Sequence, residues 1–465
     1  MAGFQDAARP SGHDGSAETD RPRFRSRLMV VSLIVMAGFC SLDRVCMALT
    51  VDLVRTDLGL SETQMGLVLG LSFSLLYSLA GIPIGLLADR YSRRYLLAGA
   101  CALWSAATVA CGFVESFQGI FVARMLVGAG EAALWPVAVS IVGDLVSPRN
   151  RGSVLGWLII GQLVGSSLSL MIGGQILSRG SQGAFQDLAL IGAMAPWRIL
   201  FILFGGAGAI AITMILFAHE PARASQIHPQ SGAQPHQSLS VVVAFFRKNW
   251  RLIAGLYVVG TLMALAQYAG ASWMLPTVMR RFAIPAADIG FTWGLLGLAA
   301  GVAGSLLGGY VTRHFQTPLA RCNLLIVATL VCALEGILVF QPGIGVTFLM
   351  AGAVAAVHGV VGVTKYLLVQ EIFPDTMRGI GTAILNVLVN LVGASSGPFM
   401  VALLTERVFR DDNMVGVSLG LIAGPGALLT TAAAFWLRAE FKRRAQRSAP
   451  GSTSSSAIGL RTEPA

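Results

Sequence analysis

Twelve times along this chain a stretch of roughly 20 residues passes with few or no charges, the length a helix needs to cross a bilayer. The runs cover 28–53, 64–88, 95–114, 118–143, 152–177, 197–218, 250–276, 288–311, 321–340, 346–370, 379–406 and 414–437. No water reaches the backbone inside a bilayer, so only helices and closed barrels can span it. Unbroken runs without apolar–polar alternation select the helix. Composition agrees: 55% of the 465 residues are apolar and 12% charged, against about 25% charged in soluble domains. The 54 glycines suit helices that approach one another closely in lipid. The expected fold class is an all-α membrane protein with twelve transmembrane helices.

The polar segments set the domain plan. Residues 1–27 read as a disordered cytoplasmic tail, without the short apolar core and small-residue cleavage site of a signal peptide. Residues 28–218 and 250–437 form two six-helix bundles, joined by a cytoplasmic linker at 219–249. A basic, disordered cytoplasmic tail follows at 438–465. With the N-terminus inside, 23 of the 33 Lys and Arg fall on the cytoplasmic side, as the positive-inside rule requires. The net charge of +10 is then an anchor to anionic lipid headgroups rather than a nucleic-acid surface. A bacterial inner membrane is the expected location, and a monomer the expected state. The six cysteines lie in apolar runs without metal spacing and read as small packing residues. No metal site and no cofactor is expected.

The two halves repeat. At a constant offset of 227 residues Gly70 meets Gly297, Gly81 meets Gly308, Arg94 meets Arg321, Arg151-Gly152 meets Arg378-Gly379, and Asp144 meets Glu371. Parallel repeats about an axis along the membrane normal are a common transporter plan, with substrate held between the halves near the midplane.

A charge at mid-membrane costs about 2.5–3.5 kcal/mol even on lenient scales, so the charges inside the runs need a purpose. The first run contains CSLDRVCM, with Asp43 beside Arg44. The fourth reads FVARMLVGAGEAALWP, placing Arg124 and Glu131 seven residues apart. Seven residues are two turns, so both side chains leave one face about 10 Å apart along the axis. The expectation is one neutral cluster of Asp43, Arg44, Arg124 and Glu131, since isolated ions would not survive there. Burial favours the neutral acid and a nearby arginine favours the carboxylate; a carboxyl held between the two can exchange a proton as solvent access changes. Asp43 and Glu131 are therefore the expected proton-coupling residues. The tenth run, AVHGVVGVTKYLLVQE, carries His358 and Lys365 on one face, with His358 at the 227 offset from Glu131. A cationic wall here, with Arg44 and Arg124 opposite, suits an anionic substrate. Tyr268 and Trp273 in QYAGASWMLP are candidate cavity residues, while Glu335 has no evident partner in the sequence.

The loop after the second run, GLLADRYSRR, resembles the signature of the major facilitator superfamily, departing only at Ser92, where a glycine is usual. The resemblance implies a twelve-helix, two-bundle fold. It also implies a cytoplasmic latch of Gly85, Asp89, Arg90, Arg93, Arg94 and Asp144, with Asp89 at the positive start of the eleventh helix. Gln316 stands at the repeat-related place of the acid, so the latch is expected to be one-sided. With LDR, VGAGEA and the His–Lys pair, residues 28–437 resemble the spinster-type branch. That branch implies a proton-coupled secondary transporter of an anionic or amphiphilic small molecule, of the lysophospholipid kind. Symporters of sugar acids share the charges of the first and fourth runs and are the alternative; a non-transporting sensor is a weaker one. GQLVGSSLSLMIGG lacks the Gly-Pro of drug antiporters, and no lysine follows a glycine as a P-loop demands. Expected partners are the substrate, protons and membrane lipids.

Overall fold

The computed structural model describes residues 16–147, 150–187, 192–220, 239–338 and 340–448. Twelve helices among them are long and apolar enough to cross a membrane. In chain order spans 1 to 6 are Arg27–Leu49, Glu62–Gly81, Arg93–Cys111, Phe117–Leu145, Arg151–Ser181 and Pro196–Phe217. Spans 7 to 12 are Ser240–Phe282, Asp288–Thr312, Pro318–Ile337, Ile344–Ile372, Arg378–Phe409 and Asp412–Arg447. Described residues contain no strand, and the apolar runs of the sequence coincide with these spans. Helix also continues beyond the runs: from Ser16 at the start, from Leu239 within the linker stretch, and to Ser448 at the end.

Several spans are interrupted where the sequence withdraws a backbone donor or brings two backbones together. Span 4 turns at Ala132–Ala133, directly after Glu131. Pro136, which lacks the N–H that would reach Ala132, accounts for that break. Span 2 changes direction at Gly70. A Cβ there would lie 2.6 Å from the carbonyl oxygen of Ser395 in span 11. Span 11 itself widens into π-helical turns at Leu388–Ala394 and Leu404–Phe409.

Twelve crossings put the start of span 1 and the end of span 12 on one face, the terminal face, opposite a distal face. Apolar packing is divided unequally between them. Toward the distal face a single core joins the halves, combining Met47, Met65, Leu177 and Phe201 with Trp273, Val278, Val401 and Leu419. Toward the terminal face there are two cores. One is built from the first half around Met36, Trp104 and Ile141, the other from the second around Leu256, Leu325 and Phe373. The halves are thus welded at one end and separate at the other.

Spans 5 and 8 carry part of that weld. A Cβ on Gly290 would fall 2.4 Å from the carbonyl oxygen of Leu170, so no side chain fits without parting the helices. Gly290→Val is expected to cost about 1–3 kcal/mol by overpacking and to widen the distal seam. A lowered melting temperature together with a longer spin-label distance across spans 5 and 8 would show this; an unchanged distance would refute it.

Candidate functional site

Near mid-membrane a cavity of about 380 Å³ lies between the halves. Arg44, Phe73, Arg124 and Gln162 line it from the first half, and Gln267, Tyr268 and Asn390 from the second. The guanidinium of Arg44 is seated over the rings of Phe73 and Tyr77, 4.4 and 4.9 Å from their centroids. It donates through Nε to Oε2 of Glu131 at 2.8 Å, with Nη2 at 2.7 Å from the same oxygen. Arg44 keeps 27% of its side chain exposed while Glu131 has none. The arginine thus faces the cavity and the glutamate lies behind it.

The four expected charges do gather, but wired differently from the neutral cluster anticipated. Asp43 makes no ion pair among the described residues. Its Oδ2 accepts from the Thr108 hydroxyl of span 3 at 3.0 Å, and Arg124 donates to the main-chain carbonyl of Asp43 at 3.3 Å. The cause is helical geometry: adjacent residues project about 100° apart, so when Arg44 takes Glu131 of span 4, Asp43 is turned toward span 3. Asp43 Oδ1, Glu131 Oε1 and Arg124 Nε have no hydrogen-bond partner among the described residues. Three unspent polar atoms in one buried cluster are a departure from the rule that buried polar groups are hydrogen-bonded.

Other expected residues sort themselves by depth. Tyr268 lines the cavity. Trp273 does not: it is fully buried in the distal core, and its indole N–H is spent on the Pro398 carbonyl at 2.9 Å. Neither His358 nor Lys365 is part of the cavity lining. His358 points at Glu335, Nε2 to Oε2 3.9 Å. Lys365 runs along Gly260 of span 7, its ammonium 5.0 Å from the Tyr366 ring.

On the terminal face Arg93 pairs with Asp144 and donates to Ser140 at 3.0 Å. Arg94 turns the other way, donating to the Ala218 carbonyl at 3.2 Å. Arg90 is exposed, and a Cβ on Gly85 would meet nothing within 4 Å. The Asp89 side chain lies outside the described residues. The second half has a matching pair, Arg321 with Glu371. Each of these pairs stays within its own half. Glu220, which the sequence did not single out, closes the N-terminus of span 3. It accepts from the Ser92 hydroxyl and from the backbone N–H of Arg93 at 2.8 Å and Arg94 at 3.4 Å. Burial pushes the Glu220 carboxyl up, but these donors prevail and hold it below its ordinary value.

The distal face carries an ion-pair network that the sequence reading did not single out, centred on Arg55 and Arg280. Arg280 reaches Asp52 at 2.6 Å, Glu62 at 2.7 Å and the Asp412 carbonyl at 2.8 Å. Arg55 pairs with Glu62 and Asp412, and the Thr63 N–H donates to Glu406 at 2.7 Å. This network ties the first half to the second directly above the fused core. Opposite charges flanking spans 1, 2, 7 and 12 were the available signal.

Two outcomes follow. Arg280→Gln leaves Glu62 buried with one cation fewer, and breaking such a pair costs about 3–5 kcal/mol; distal opening, read by cysteine accessibility near Asp52, is expected to rise at least tenfold, whereas unchanged accessibility would show the network to be incidental. Because Glu220 is held below its ordinary value, its contribution is present near neutral pH and lost as pH falls through the folded value. Glu220→Gln should therefore lower stability by about 1 kcal/mol near neutral pH, with the difference fading in acid; a constant difference across pH would argue against this role.

Comparison with known proteins places this architecture. The model of the Major Facilitator Superfamily matches residues 29–398. An "MFS-type efflux pump" of Mycolicibacterium smegmatis is 25% identical over 438 residues, covering 91% of this chain and 95% of the relative. Human "Protein spinster homolog 1" is 25% identical, covering 83% and 74%. A "Hexuronate transporter" of Bacillus subtilis is 30% identical over a shorter stretch, 39% of this chain and 42% of its own. Among solved structures, a bacterial homolog of the human lysosomal transporter spinster, inward-facing and unoccupied, superposes with a TM-score of 0.70 at 22% identity, over 91% of this chain and 97% of that one. The chain is an integral membrane protein belonging to the Major Facilitator Superfamily, a transporter rather than an enzyme, related to spinster proteins and to sugar-acid transporters.

Proposed function

We propose that this protein is a proton-coupled secondary transporter of an anionic or amphiphilic small molecule, with Glu131 as the principal proton carrier and Asp43 as its companion. One observation carries the reading: a cavity-facing arginine is neutralised by a fully buried glutamate behind it. While Glu131 is ionised, Arg44 is occupied. A proton on Glu131 weakens that bond and leaves Arg44, with Arg124 beside it in the cavity wall, free to take an anionic group. Proton and anion thus enter the site together, each raising the affinity for the other. The rings of Phe73 and Tyr268 supply the apolar part of the cavity and suit an amphiphile such as a lysophospholipid. The local likeness to a hexuronate transporter favours a second reading in which the anion is a sugar acid. Lys365, deeper in span 10, is the reserve cation for either.

Separate cores on the terminal side and a fused, ion-paired distal side support an inward-facing resting form. On this reading the terminal face is cytoplasmic in a bacterial inner membrane, and the distal face periplasmic. Transport would proceed by rocking the halves about the mid-membrane cavity, with the Arg93–Asp144 and Arg321–Glu371 pairs fixing the loops that meet when the cytoplasmic side closes.

The test is proteoliposome transport. A unit pH gradient supplies about 1.4 kcal/mol per proton, so coupling makes accumulation up to about tenfold. Glu131→Gln is expected to abolish this accumulation while substrate exchange between equal concentrations continues. Accumulation by the variant at the wild-type level would remove Glu131 from the mechanism.

A further inference from the structure

The buried pair in the second half has a use that the mechanism above leaves open. Glu335 of span 9 and His358 of span 10 have only 6% and 10% of their side chains exposed. Glu335 Oε2 and His358 Nε2 both lack a hydrogen-bond partner among the described residues, and they face each other at 3.9 Å. The other carboxylate oxygen, Oε1, occupies the place where a side chain on Gly270 of span 7 would begin, 1.8 Å from an ideal Cβ.

The repeat explains this arrangement. At the offset of 227 residues Asp43 corresponds to Gly270, Thr108 to Glu335 and Glu131 to His358. In the first half the carboxylate stands on span 1 and the hydroxyl of span 3 donates to it. In the second half the position on the span 1 equivalent has become glycine, and the carboxylate stands on the span 3 equivalent, filling the vacated space. The acid has crossed from one helix to its neighbour while staying at the same station of the fold, with an ionisable partner on the span 4 equivalent in each half.

We propose that Glu335 and His358 form a second proton-binding station, the repeat-related counterpart of Asp43 and Glu131. One proton from water converts the pair of carboxylate and neutral imidazole, of charge −1, into a neutral whole. The proton rests on Nε2 as imidazolium beside carboxylate, or on Oε2 as acid beside imidazole, and passes between them. Among the described residues no other charge forms an ion pair with either member. Of those same residues span 7 presents Gly270 and Tyr268, span 12 packs Gly420 and Gly424 on Gly336, span 9 adds Cys332, and Lys365 stands two turns further along span 10. The station gives each half its own titratable centre on either side of the cavity. Its purpose rests on the transporter reading; its existence does not.

The experiment needs no substrate. Full-length protein in lipid nanodiscs is titrated while infrared difference spectra follow carboxyl protonation. Wild type is compared with Glu335→Gln, with His358→Gln, and with the double variant Gly270→Asp, Glu335→Thr, which restores the first-half arrangement. All are repeated in an Asp43→Asn, Glu131→Gln background. Glu335→Gln is expected to remove one titrating carboxyl in both backgrounds, His358→Gln to move its midpoint by at least a pH unit, and the double variant to bring one carboxyl back. Since the double variant can fold where a single one fails, the test survives loss of Glu335→Gln. Spectra of Glu335→Gln that superimpose on wild type, or a double variant that folds but regains no titrating carboxyl, overturn the proposal. Loss of proton-driven accumulation at Glu131 is read in a different assay, so either idea can fall without the other.

Discussion

The intolerance of hydrocarbon for an unmatched charge organises this molecule. Arg44 cannot sit at mid-membrane alone, so span 4 must approach span 1 closely enough for Glu131 to meet it at 2.7 Å. That approach demands small residues: a Cβ on Gly128 of span 4 would lie 2.2 Å from the Phe73 carbonyl oxygen of span 2. Phe73 in turn provides the ring beneath Arg44 and Arg124. One ion pair thereby dictates the packing of three helices and the shape of the cavity wall. The break at Ala132–Ala133 follows the glutamate directly, so the site lies where the helix is least regular.

The same economy applies between the halves. Close contacts there are made by backbone on backbone, as at Gly70 and Ser395, or Gly290 and Leu170, where no side chain intervenes. Such contacts are either made or lost, because a rigid helix cannot give by half an ångström without losing the fit. Paired with the Arg55 and Arg280 network above them, they make the distal seam a two-state element of the kind that rocking transport requires.

Much of this was legible in the sequence, for physical reasons that also mark where legibility stopped. The twelve spans could be read because hydrocarbon enforces length and apolarity, and the gathering of Asp43, Arg44, Arg124 and Glu131 because the cost of charge leaves few partners. The Asp43–Thr108 bond was not read, since a hydroxyl carries no charge to announce it and the turn of Asp43 away from span 4 depends on which neighbour Arg44 takes. Trp273 was misplaced because an aromatic beside a glycine and a proline looks the same at a cavity and beneath it. Only its neighbour Pro398, 125 residues away, decides. The distal network escaped for the opposite reason. Arg280 and Asp52 are 228 residues apart, and exposed-looking loop charges reveal their pairing only when the halves are assembled. Glu335 was unassignable from its own helix because the space it fills belongs to Gly270 on another.

The unequal division of apolar packing has a thermal consequence. Parting the distal core would wet residues such as Trp273, Met274 and Val401, all buried there now. Exposure of apolar surface raises heat capacity, and near room temperature its penalty is largely entropic and grows on warming. On the rocking mechanism proposed above, the equilibrium between the two orientations is a curved function of temperature, and cooling alone should loosen the distal seam.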